Sequence, residues 1–74
     1  MKLPAVTPRE VIKALERAGF YKKRQKGSHV IYKHPDGRWT VVPIHARIIP
    51  KGTLRAILRE AQINPEDFAR LLNE

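Results

Sequence analysis

The chain has 74 residues, and its 15 Lys and Arg against 7 Asp and Glu give a formal charge of +8 and a pI of about 10.5. It has no cysteine, which excludes disulfides, thiolate metal sites and a thiol nucleophile, and no apolar run approaches the roughly 20 residues of a membrane span. Met1-Lys2-Leu3-Pro4 also lacks the apolar stretch of a signal peptide, so we expect a cytoplasmic protein. The length predicts one domain over residues 1–74, and the excess of positive charge indicates a polyanionic partner.

The first predicted element is a helix from about residue 8 to 18. Thr7 can cap it, Pro8 suits its first turn, and Glu10 stands where a capping box places a carboxylate. Apolar residues then recur at helical spacing up to Ala18, and Gly19 offers the stop.

Three strands are predicted next. Phe20 to Gln25 forms the first, and a turn at Lys26-Gly27-Ser28 leads into the second, His29 to His34, which is rich in Val, Ile and Tyr. Pro35-Asp36-Gly37-Arg38 has the composition of a tight turn, and the third strand, Trp39 to Ile44, returns from it as a hairpin.

The length of that turn predicts which residues share a face of the sheet. A two-residue Asp36-Gly37 turn would pair His34 with Trp39 and bring His29 to Ile44, next to His45. The two faces would then be His29, Ile31, Lys33, Thr40, Val42 and Ile44 on one side, and Val30, Tyr32, Trp39 and Val41 on the other. The second face is the more aromatic, so we expect the helices to cover it and His29 to lie on the outer face.

Two more helices complete the pattern. Thr53 to Ala61 has apolar residues at helical spacing, and Asn64-Pro65-Glu66-Asp67 is a helix start that precedes Phe68, Leu71 and Leu72. The order α-β-β-β-α-α predicts an α+β fold, a three-stranded antiparallel sheet with helices on one face, which resembles a double-stranded-RNA-binding domain.

Two groups of residues favour phosphate binding. The first combines cations, a flexible glycine and a hydroxyl around one turn: Lys22, Lys23, Arg24, Lys26, Gly27 and Ser28. The second surrounds the start of the second helix, where free amides favour anions: Arg47, Lys51, Gly52, Thr53 and Arg55. The alternatives are a solvated hairpin end, a Thr53 that only caps its helix, and charge that serves solubility alone.

The histidines point to chemistry without a metal. His29 and His34 are an odd number of residues apart on one strand and so point to opposite faces, and no acidic pair stands near His29. Metal-free RNA cleavage needs a base for the 2′-hydroxyl proton and cations for the phosphorane charge, which His29 and its neighbours can supply. His45 is a candidate accessory acid or an incidental loop residue, whereas Tyr32 and Trp39 are better explained as core than as stacking platforms.

Several motifs together resemble the HicA toxin family over nearly the whole chain. They are Gly27-Ser28-His29, Tyr32, His34-Pro35, Val42-Pro43-Ile44-His45 and Gly52-Thr53-Leu54-Arg55 with Ile57-Leu58. The resemblance implies a toxin that cleaves messenger RNA with the histidine of the Gly-Ser-His motif, His29, needs no cofactor, and is held inactive by a HicB antitoxin. Departures are Gln62, where the family commonly has glycine, and the apolar Ile48-Ile49 before Lys51.

The leading hypothesis is therefore a metal-independent endoribonuclease. One alternative is a binding-only RNA module that uses the same basic surface. Another is an interaction protein whose exposed Ile31, Val42 and Ile44 bind a second chain.

Overall fold

A computed structural model describes residues 3–74, so the predicted start at Met1 and Lys2 lies outside the described residues. Its elements are α1 (Pro8–Arg17), β1 (Tyr21–Lys26), β2 (His29–Lys33), β3 (Trp39–Pro43), α2 (Lys51–Ala61) and α3 (Pro65–Leu72). The predicted order and the α+β class are confirmed, and the arrangement is consistent with a double-stranded-RNA-binding-domain-like fold. Among these helices none has the length and apolar character needed to cross a membrane.

Both predicted end signals of α1 are confirmed. The Glu10 amide donates to Thr7 Oγ1 (3.2 Å), while the Thr7 amide donates to Glu10 Oε1 (2.8 Å), which together form a capping box. At the other end Gly19 adopts φ 98°, and the Phe20 amide turns back to donate to the Leu15 carbonyl (2.9 Å). This closure turns the chain from α1 directly into β1.

The sheet has the order β1-β2-β3 with antiparallel neighbours. Gly27 and Ser28 form the two-residue turn between β1 and β2, and only Gly27 has a positive φ (59°), as a type II′ turn requires. The pairing of β1 with β2 shifts between Lys22 and Arg24, which makes Lys23 the extra residue of a β-bulge.

The predicted register of β2 and β3 is wrong by one residue. Trp39 pairs with Lys33 instead of His34, and His29 pairs with Pro43 instead of Ile44. The reason is that the loop has three residues, 35–37, because His34 pairs with Arg38: the His34 amide donates to the Arg38 carbonyl (2.8 Å). Within the loop the Gly37 amide donates to the His34 carbonyl (2.9 Å), and Gly37 adopts φ 103°.

This shift exchanges the faces of β3. Thr40 and Val42 are fully buried with Val30 and Tyr32, whereas Trp39 is 55% exposed, so the predicted core positions of Trp39 and Val41 are wrong. The core position of Tyr32 is confirmed. Thr40 is tolerated in the core because its hydroxyl donates to Glu60 Oε1 at 2.8 Å.

The helices cover the face of the sheet that carries Val30 and Tyr32, as predicted, and on β3 they cover Thr40 and Val42. α1 and α2 both contact β3, and α3 packs against α1. The helices and the sheet enclose a hydrophobic core. Its largest fully buried apolar side chains are Val6, Val11, Leu15, Val42, Ile49, Leu54, Ile57 and Phe68. α2 begins at Lys51, not at Thr53, and its N-cap is Pro50 with no side-chain cap, so the hypothesis that Thr53 caps the helix is wrong.

Two arginines bind carbonyl groups at the ends of helices. Arg17 Nη1 donates to the Leu71 carbonyl (2.6 Å) in α3, and Arg38 Nη1 donates to the Ala61 carbonyl (2.6 Å) in α2. Arg38 also binds Asp36 through Nε (2.8 Å to Oδ2) and lies over the Phe20 ring at 5.1 Å. These two arginines stabilise the fold, and Arg38 uses its Nε and Nη1 donors within the protein.

Candidate nucleic-acid interface

The surface of the sheet opposite the helices is built from three rows, each with one residue from β1, β2 and β3. We call it the outer face. Its rows are Lys26, His29 and Pro43; then Arg24, Ile31 and Val41; then Tyr21, Lys33 and Trp39. Each row contains at least one cationic or histidine side chain, and no row contains an acid.

His29 lies in the first row, at the start of β2, and its side chain is exposed. The prediction that it occupies the outer face is confirmed, because its strand neighbours Val30 and Tyr32 are buried on the other side. It is flanked by Lys26 on β1 and Pro43 on β3. A substrate can therefore approach the imidazole from solvent without any element moving aside.

The bulge in β1 adds a cation to this face. Because Lys23 is the extra residue, it and Arg24 both lie opposite Ile31. Both side chains line a shallow depression of about 260 Å³ together with Ile31, Lys33 and Trp39. Positive charge is thus concentrated around an apolar surface, a combination that attracts an anion with an apolar part.

Lys22 is the predicted cation that the structure does not bring to His29. It pairs with Tyr32, whose side chain points into the core, so Lys22 lies on the helix side of β1. Its Nζ donates to Gln25 Oε1 (3.0 Å), and Gln25 Nε2 donates to the Gly27 carbonyl (3.1 Å). These bonds brace the turn before His29, which gives Lys22 a structural role.

The remaining predicted residues, His45, Arg47 and Lys51, come after β3 in the chain, which leaves the sheet at the end where His29 lies. The Ile44 amide donates to the Ser28 carbonyl (2.8 Å), which holds the chain just before His45 against the Gly27-Ser28 turn. The exposed Arg47 lies farther along this loop, and the exposed Lys51 is the first residue of α2. The structure thus places Arg47 on the loop that leaves this edge and Lys51 at the start of α2, and neither lies in the rows of the outer face.

The carboxylates of the described residues lie elsewhere. Asp36 binds Arg38 in the β2–β3 loop, and Asp67 binds Arg70 in α3. The pKa of Asp36 is lowered, chiefly because its carboxylate accepts a hydrogen bond from the Arg38 backbone amide. Residues 3–74 contain no group of three or more His, Asp or Glu side chains placed to hold a metal ion.

A larger depression of about 510 Å³ lies at the opposite end of β3 from His29, lined by Asp36, Gly37, Arg38, Trp39, Glu60 and Gln62. Its carboxylates already bind Arg38 and the Thr40 hydroxyl. Because it contains two acids and its arginine is engaged, this depression is less suited to a polyanion than the outer face.

The sequence did not identify Lys33 and Trp39 as part of this surface. Lys33 was placed on the correct face but given no role, and Trp39 was assigned to the core. The face of Lys33 is predicted correctly, so only Trp39 depends on the third residue of the β2–β3 loop, which decides the side to which Trp39 points.

Comparison with known protein families gives a match. A family model described as the HicA toxin of bacterial toxin–antitoxin systems matches residues 8–63, which is most of the chain. The match runs from the first residue of α1 to the residue after the left-handed Gln62 and includes the whole sheet. No curated protein matches the chain.

Proposed function

The chain belongs to the HicA toxin family of bacterial toxin–antitoxin systems, and from this premise we propose that it is an endoribonuclease that cuts messenger RNA with His29. The family supports a toxin role and implies a HicB antitoxin as partner. The observation that carries the proposal is the position of His29, which is exposed in a row without acids, beside Lys26 and next to the Gly27-Ser28 turn.

The proposed reaction is attack by a ribose 2′-hydroxyl on the adjacent phosphorus. His29 takes the hydroxyl proton, the 2′ oxygen bonds to phosphorus, and the bond from phosphorus to the 5′ oxygen breaks. His45 is the candidate acid that gives a proton to that leaving oxygen, since the Ser28–Ile44 hydrogen bond keeps its segment at the same edge. The products are a 2′,3′-cyclic phosphate and a 5′-hydroxyl.

The cations have two proposed roles. Lys26 and Arg24 share the outer face with His29 and stabilise the additional negative charge of the phosphorane. Ser28 and the Gly27 amide orient the phosphate, while Lys23, Arg47 and Lys51 hold the flanking backbone of the RNA. Lys22 contributes through the turn that it braces.

The test compares three properties of one variant. His29→Ala is expected to lower the RNA cleavage rate by about 10²- to 10⁴-fold and to abolish toxicity, because general acid–base catalysis is worth that much. Melting temperature and RNA affinity should stay near those of the unchanged protein, since the side chain is exposed. Cleavage at the full rate by this variant would refute the role of His29.

Two further measurements define the chemistry. Cleavage is expected to persist with a chelator of divalent ions and to leave cyclic or 3′-phosphate ends, whereas a magnesium requirement or 5′-phosphate ends would show a water nucleophile on a metal-assisted path. RNA that is bound but stays intact with folded, unmodified protein would favour the binding-only alternative. His34→Ala serves as the matched histidine control, whereas His45→Ala tests the proposed acid and should also slow cleavage.

A further inference from the structure

We infer that Trp39 is a stacking platform for an unpaired base, so that the outer face selects single-stranded RNA over duplex. The inference rests on the proposed function of this face and extends it from the scissile phosphate to the class of RNA that is bound. Its test measures binding alone and does not depend on cleavage.

The first observation is that the largest apolar side chain of the protein lies outside the core. Trp39 is 55% exposed and is the single tryptophan of the chain. An indole in water forgoes the favourable burial that a side chain of its size gains in a core. Its β3 neighbour Val41 is half-buried in the same face, so Trp39 stands at the end of an apolar strip.

The second observation is the charge around the indole. Lys33 is its direct partner across the β2–β3 pairing, and Lys23 and Arg24 line the same depression of about 260 Å³. A nucleotide combines a flat apolar base with an anionic phosphate, and an aromatic ring with cations along one side binds that combination. An acidic protein segment would satisfy the charge, but nothing in it requires the flat, exposed ring.

The third observation is the distance from the reactive group. His29 and Lys33 are four positions apart along β2, and Trp39 pairs with Lys33. At 3.3 Å per residue this is roughly 13 Å, a span that a few nucleotides of a single strand can bridge. One RNA strand can therefore cross the outer face with its scissile phosphate at His29 and a base on Trp39.

A duplex cannot make the same contact. Its base faces are covered by stacking, and only its phosphates, sugars and groove edges are open to a flat sheet. An unpaired base, in contrast, can rotate onto the indole. The exposed ring therefore discriminates between the two forms of RNA, which cations alone do not do.

The fluorescence of Trp39 reports the contact directly, because the chain has no other tryptophan. The unmodified protein is titrated with an unstructured oligonucleotide whose 2′-hydroxyls are methylated, so that it cannot be cleaved, and with a blunt duplex of the same length. We expect the single strand to quench the fluorescence at saturation and the duplex to leave it nearly unchanged.

Variants then measure what the ring contributes. Trp39→Ala should weaken binding of the end-labelled single strand on the order of 5- to 150-fold, the effect of losing one stacked base, while Trp39→Phe should retain most of the affinity. Ile48→Ala is the matched control, because Ile48 is also exposed (50%) but lies in the loop before α2. Melting curves identify any variant that is unfolded. If Trp39→Ala is unfolded, the comparison of Trp39→Phe with the unmodified protein remains valid.

The inference is overturned if the single strand binds without quenching, if Trp39→Ala binds it like the unmodified protein, or if the duplex quenches equally. Quenching by a HicB antitoxin but not by RNA would instead assign the ring to a protein interface. If cleavage depends on His29 but binding of the single strand does not depend on Trp39, the proposed function stays intact and only this inference is removed. Quenching by the single strand in a protein that cleaves no RNA would support this inference and remove the proposed nuclease function.

Discussion

Gly19 lies against the imidazole of His34, so closely that a Cβ added at Gly19 would stand 2.9 Å from His34 Nε2. The same glycine has φ 98°, where other residues are strained. We therefore predict that Gly19→Ala lowers the free energy of unfolding by roughly 2–4 kcal/mol, from backbone strain and from displacement of the ring. Urea denaturation measures it.

Gly52 provides the control for Gly19→Ala. It lies within the first turn of α2 with nothing within 4 Å of an added Cβ. Gly52→Ala should therefore raise stability by about 0.5–1 kcal/mol, because alanine loses less entropy in a helix. An equal loss of stability in both variants would contradict the role assigned to the contact with His34.

Gln62 is predicted to be a site of easy stabilisation. It ends α2 at φ 57°, the only residue other than glycine with positive φ among residues 3–74. Gln62→Gly should raise the free energy of unfolding by about 1 kcal/mol, since glycine adopts this conformation without steric cost. Gln62→Ala keeps a Cβ and should show no such gain, and a gain of the same size there would contradict the explanation.

The Asp36 carboxylate predicts a pH dependence of stability. Its pKa is lowered from 3.8 in the folded chain, first by the hydrogen bond from the Arg38 amide and then by the guanidinium of that residue. Its contribution is therefore complete above the unfolded pKa and disappears as the pH falls through the lower folded value.

Asp36→Asn tests this sign. The amide oxygen of asparagine can still accept from the Arg38 backbone but carries no charge for its guanidinium. The melting temperature of the unmodified protein should exceed that of the variant at neutral pH, and the difference should shrink as the pH falls below 3.8. A difference that stays constant down to the acid limit would show that the charge of Asp36 does not contribute.

The salt dependence of RNA binding should identify which cations contact phosphate. Each cation that neutralises a phosphate of a single strand contributes about 0.7 to the slope of log affinity against log salt concentration. Arg24→Ala with Lys26→Ala should therefore flatten the slope by about 1.4. Lys22→Ala is the matched control, because Lys22 lies on the opposite side of β1 and should change the slope less. A larger effect of Lys22 would place the RNA on the helix side.

The sequence was sufficient to predict the helices, strands and turns, but not to predict which side chains of β3 point into the core. The capping box of Thr7 and Glu10 and the turn glycines are local signals, and the structure follows them. The loop after His34 is different, because a Pro-Asp-Gly sequence suits either a two-residue or a three-residue connection. One residue of difference exchanged Trp39 and Thr40 between core and solvent.

Polarity could not have corrected this error. Thr40 is tolerated in the core because Glu60, 20 positions later, accepts a hydrogen bond from its hydroxyl. The bulge at Lys23 is equally invisible locally, since it depends on how β1 meets β2. Of the candidate site, the sequence identified the turn and His29, whereas the grouping of Lys23, Arg24 and Lys33 around Trp39 required the pairing.

The bulge and the charge of β1 also affect how copies of the chain meet. An open strand edge is a template for another strand, but all six residues of β1 are exposed, four are cations, and Lys23 interrupts the hydrogen-bonding pattern. The other edge, β3, ends at Pro43, which has no amide hydrogen to offer. Sheet extension is therefore disfavoured at both sides, which protects the chain against strand-mediated aggregation, and a partner that covers His29 has to approach across the face of the sheet.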